Sequence, residues 1–91
     1  MMMTEQDMFK TAQIGIEAEK FLSTDLGIFL LGKAEMELET GFSLLLDALP
    51  TDYATITKLQ SQCKRALNFK SWLAEAIQSG EYAVRELRQD E

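Results

Sequence analysis

The chain contains no histidine, a single cysteine and a single proline in 91 residues. Each shortage removes a kind of chemistry. Without imidazole there is no Ser-His or Cys-His nucleophile pair and no Glu-x-x-His ligand set of the kind that holds di-iron in helical bundles. The lone Cys63 closes no intrachain disulfide and builds no zinc site. Neither Gly-x-x-x-x-Gly-Lys nor Gly-x-Gly-x-x-Gly occurs, so no phosphate-cradling loop is visible. β-Branched residues are sparse and no run alternates apolar with polar between turn signals, which excludes a strand reading. The most apolar stretch, Leu26 to Leu31, is far short of the roughly 20 residues of a membrane span. Met1, Met2, Met3 and Thr4 carry neither a basic segment nor a following apolar run, so no secretory leader is expected. A cytoplasmic setting follows.

What is present reads as an ordinary globular composition, 46% hydrophobic and 26% charged, and as one domain over residues 1–91. The net charge of −6 lies entirely in residues 1–50, where nine acids face three bases; residues 51–91 carry six of each. Such a chain repels nucleic-acid phosphate, so no nucleic-acid partner is expected.

The fold class is all-α: a long antiparallel helical hairpin, about 25–49 and 52–88, plus an N-terminal helix, about 4–22. In the first hairpin helix Gly27, Ala34, Gly41 and Ala48 recur every seventh residue, with Leu31, Leu38 and Leu45 between them. A small residue every two turns lets a neighbouring helix approach closely. The second carries Ile56, Leu59, Cys63, Ala66, Lys70, Leu73, Ile77, Gly80, Val84 and Leu87 at alternating three and four spacing. Pro50 pushes Leu49 out of the α region and ends the first helix; Thr51 or Asp52 caps the next. Counting out from this turn pairs Leu45 with Ile56, Leu38 with Cys63 and Leu31 with Lys70. Gly80 is the weak point of its helix, at a cost of ~1 kcal/mol relative to Ala.

The N-terminal helix opens on Thr4 and Asp7, an approximate capping box, and Ser23, Thr24 and Asp25 break it and start the next. Met8, Thr11, Gly15, Ala18 and Leu22 share one face; Phe9, Ala12 and Ile16 share another.

The residues that could bear chemistry point elsewhere. Glu35, Glu37 and Glu39 alternate in sequence, so on a helix their carboxylates diverge and cannot clamp one octahedral ion. No Glu has an acid three residues later, unlike the Mg²⁺-holding all-α nucleotide pyrophosphatases. Lys70 reads as a seam lysine that snorkels outward and fixes register, not as a nucleophile. Cys63 reads as a small seam residue. No catalytic residue, cofactor or metal is expected.

Apolar residues exceed what a hairpin covers. Leu26, Phe29, Met36 and Leu44 form a second stripe on one helix; Phe69, Trp72, Ala76 and Ala83 form one on the other. The seam through Ile77, Gly80, Val84 and Leu87 also overhangs its partner. The N-terminal helix is the nearest cover, but it reaches only one of these sites well. Interface candidates are therefore Phe29, Met36, Leu44, Phe69, Trp72, Ile77, Val84 and Leu87, and a homo-oligomer, most simply a two-fold dimer, is expected.

The segments FLSTDLGIFLLGKAE, from Phe21 to Glu35, and WLAEAIQSGE, from Trp72 to Glu81, resemble small helical proteins encoded by tailed bacteriophages and prophages. The resemblance covers about a quarter of the chain and rests on packing motifs. It implies an accessory protein of the bacterial cytoplasm and carries no activity or site residue. The function expected is a non-enzymatic, self-associating interaction protein. Its rivals are an acidic nucleic-acid mimic that inhibits a host enzyme, and a small-molecule binder with its site between subunits.

Overall fold

The computed structural model describes residues 4–89, so the leader reading of Met1 to Met3 lies outside the described residues. Three helices follow one another: α1, Glu5–Ser23; α2, Asp25–Asp47; α3, Tyr53–Gln89. The capping box is formed: the Thr4 hydroxyl accepts from the Asp7 N–H at 3.1 Å, and the Asp7 carboxylate accepts from the Thr4 N–H at 3.3 Å.

One residue makes the corner between α1 and α2. The Thr24 N–H donates to the Phe21 carbonyl at 3.0 Å, its hydroxyl donates to the same oxygen at 2.6 Å, and that hydroxyl accepts from the Gly27 N–H at 3.0 Å. Thr24 thus closes one helix and caps the next. The Phe21 carbonyl lies where a Gly27 side chain would be. Gly27 is therefore small to admit the corner, a correction to its place in the seven-residue seam.

α2 ends at Asp47, earlier than expected, because Ala48 is already extended (φ −71°, ψ 142°). The Asp52 N–H then donates to the Leu49 carbonyl at 2.9 Å, closing a turn over Pro50 and Thr51. Asp52 is the cap of α3: its carboxylate accepts from the Thr55 N–H at 3.2 Å.

α2 runs antiparallel along the first half of α3. Ala34, Leu38, Cys63 and Ala66 form one buried cluster, with Leu45 and Phe69 packed against it. This is the pairing of Leu38 with Cys63 that the seams require. The approach is close because Gly41 has no side chain: a Cβ there would stand 2.5 Å from the Cys63 Sγ.

α1 covers the second half of α3, on a side the seam does not specify. Ala12, Gly15 and Ala18 are buried, as are Gly80 and Ala83, and Ala76 is half-buried. A Cβ on Gly15 would stand 2.7 Å from the Gly80 Cα and 3.0 Å from the Ala76 carbonyl oxygen; one on Gly80 would stand 2.7 Å from the Gly15 Cα. Backbone meets backbone here. Gly80 is thus a contact point instead of a weak point, and Ala76 and Ala83 belong to an internal contact instead of a free stripe. At ~100° per residue these three lie roughly a quarter turn around α3 from Leu59, Cys63 and Ala66. A strict seven-residue repeat drifts ~20° per heptad on an α-helix, so the seam moves out of line along α3. α1 takes the Ala76, Gly80 and Ala83 side and leaves Ile77, Val84 and Leu87 half-buried.

The result is long and thin, 59 × 33 × 15 Å, with a radius of gyration of 18.0 Å. A compact chain of this length has about 12 Å. Among the described residues no large side chain is fully buried; the core is made of alanine, leucine and the cysteine.

Two sets of substitutions test these contacts. Gly41→Leu should lower stability by roughly 1–3 kcal/mol or more through overpacking. Gly41→Ala should also destabilise, but its loss should shrink in a Cys63→Ala background, with a coupling of at least ~0.5 kcal/mol. Additive urea midpoints would show that the two residues do not press on each other. Gly15→Ala should lower the urea midpoint even though it raises helix propensity. Gly32→Ala, with nothing within 4 Å of the added methyl, should be neutral or gain up to ~1 kcal/mol. Equal shifts for the two variants would count against the backbone contact.

Candidate interaction surface

The small-residue contacts bring helices together but enclose little, so large apolar side chains remain outside. Among those half-buried or exposed are Met8, Phe9, Ile14 and Ile16 on α1; Leu26, Ile28, Phe29, Met36, Phe42, Leu44 and Leu46 on α2; and Tyr53, Leu67, Trp72 and Tyr82 on α3. Leu46 is the extreme, 87% exposed.

The eight expected interface residues do not form one patch. Phe69 packs onto the α2–α3 core. Phe29 and Met36 lie on the outer edge of α2, exposed. Leu44 lines a groove of about 450 Å³ with Leu59 near the turn. Trp72 and Ile14 line a groove of about 230 Å³ on one side of the α1–α3 contact. On the other side Ile77 and Val84 line a groove of about 410 Å³ with Ala12, Gly15, Ile16 and Gly80; Glu19, Glu81 and Arg85 also border it. Leu87 is half-buried. Ile16 was readable on the sequence as part of a second α1 face, and its role as a groove wall was not, because that depends on where α1 docks. Phe42 and Leu46, both exposed, stand between the leucine seam of α2 and its far side, so neither stripe includes them.

Charge on this surface is mostly solvated. Lys70 Nζ lies 3.8 Å from a Glu35 carboxylate oxygen, with 41% and 57% of the two side chains exposed. The lysine therefore reaches outward from the seam, and the pair bridges α2 and α3 one turn from the Leu31 position that counting from the turn gives. Gln62 adds a second bridge, its amide donating to the Glu37 carbonyl at 3.5 Å. Among the described residues no three metal-ligating side chains gather, Glu35, Glu37 and Glu39 included. Cys63 is buried and unpaired, against Gly41. No described helix is long and apolar enough to cross a membrane.

Comparison with protein families, curated proteins and solved structures finds no match to this chain.

Because the Lys70–Glu35 pair is open to water, Lys70→Ala should change the free energy of unfolding by less than ~1 kcal/mol. A larger loss in urea denaturation would show that the pair holds the hairpin register.

Proposed function

We propose that this protein is a non-enzymatic, self-associating helical interaction protein. One quantity carries the reading. The chain exposes 7227 Å², whereas a folded monomer of 10.3 kDa exposes about 5,350 Å². The surplus of roughly 1,900 Å² exceeds the ~800 Å² per partner that a stable protein–protein interface buries. Its composition supports the same reading, since Phe9, Phe29, Phe42, several leucines and Trp72 are exposed while the buried hydrophobic residues are mostly alanines. Apolar side chains left outward on all three helices, among them Phe9, Phe29, Met36, Leu46 and Trp72, are surface that association would cover. The resemblance of the two quoted segments to small phage-encoded helical proteins supports an accessory role in a bacterial cytoplasm, in which the assembled form presents its remaining faces to a partner protein.

Light scattering coupled to size exclusion at micromolar concentration tests this. The expected mass is at least twice the 10.3 kDa of the chain. A single mass equal to one chain, unchanged on concentration, would refute self-association.

A further inference from the structure

We infer that α1 is a strap that opens as a unit of its own, hinged at Thr24, while the α2–α3 hairpin stays folded. Three observations carry it. First, the two contacts made along α3 share no residue. The hairpin core is Ala34, Leu38, Cys63 and Ala66, with Leu45 and Phe69 against it, all on α2 and the first half of α3. The seat of α1 is Ala76, Gly80 and Ala83, further along the same helix. No member of the hairpin core lies on α1.

Second, little apolar burial holds the strap down. The residues α1 buries are Ala12, Gly15 and Ala18, while its Phe9, Ile14 and Ile16 stay 58%, 55% and 49% exposed. Small side chains remove little area from water. Polar groups do not make up the difference. Among the described residues every side-chain hydrogen bond of α1 is local to that helix or to its two ends. The hairpin, by contrast, is bridged by Lys70 with Glu35 and by Gln62 with the Glu37 carbonyl.

Third, the corner can turn at one residue. The Thr24 N–H and hydroxyl both donate to the Phe21 carbonyl, and Thr24 is exposed, so water can replace both bonds at small net cost. The bond from the Gly27 N–H to the Thr24 hydroxyl belongs to the cap of α2 and survives the turn. Local opening below global unfolding occurs where few apolar contacts are buried, and α1 is that region here. Once released, a helix of 19 residues has lost the packing that supplies most helical stability in a protein, so its amides exchange with solvent.

Native-state hydrogen exchange on the full chain in sub-denaturing urea tests this. Amides of α1 should exchange at least about 10-fold faster than those of the hairpin between Leu31 and Leu45 and between Leu59 and Phe69. Their exchange should also depend less on urea, because a smaller surface opens. Gly15→Leu drives a side chain into the Gly80 backbone and should release the strap. In that variant α1 protection should fall by a further factor of about 10 or more, while that of the hairpin changes by less than about 3-fold. A native chain in which α1 and the hairpin exchange together, with one urea dependence, would overturn the inference. So would a variant that loses protection in both units, or in neither.

Discussion

Where α1 crosses α3, a methyl group on Gly15 would stand 2.7 Å from the Gly80 Cα, so nothing but backbone fits between the two helices. The shape of the whole molecule depends on this contact. It holds α1 against the half of α3 that α2 does not reach, and it chooses the side on which α1 sits. Ala12 and Ala18 on one helix, with Ala76 and Ala83 on the other, continue the same logic to either side. Gly41 against Cys63 repeats it in the hairpin. Close approach gains many dispersion contacts per residue but removes little apolar area from water, because small side chains have little to remove.

That trade explains the surface. A helix pair joined through alanine and glycine turns many of its large apolar side chains outward, and a layer 15 Å thick has little interior to receive them. The α1–α3 groove, with its apolar walls and its border of two acids and one base, is part of that surface.

Much of this was legible in the sequence, and the parts that were not share a physical cause. The capping box at Thr4, the corner at Thr24, the turn at Pro50 and the meeting of Leu38 with Cys63 are local or follow by counting from a turn, and periodicity reads such features well. The seat of α1 is different. The chain offers two candidate tracks on α3, one through Ile77, Val84 and Leu87 and one through Ala76 and Ala83, with Gly80 between them. Apolar bulk favours the first track; how closely two backbones can approach favours the second, and a pattern of hydrophobic letters does not record that distance. Gly27 shows the same blind spot. Its seven-residue spacing placed it in a seam, whereas its smallness serves the Phe21 carbonyl six residues before it. Of the candidate interface residues, Ile77 and Val84 line the groove and Phe69 packs on the core, a division settled only once α1 has docked.

The arrangement of α1 also has a consequence for the order of events during synthesis. The residues that receive α1, Ala76 to Ala83, are made some sixty positions after Gly15. At ~5–20 residues per second this is a wait of roughly 3–12 s. A hairpin of neighbouring helices needs only a short loop to close, whereas the seat of α1 lies at the far end of α3. The N-terminal helix therefore depends on the most distant part of the chain for its cover, and until Gly80 is made it has no backbone to rest against.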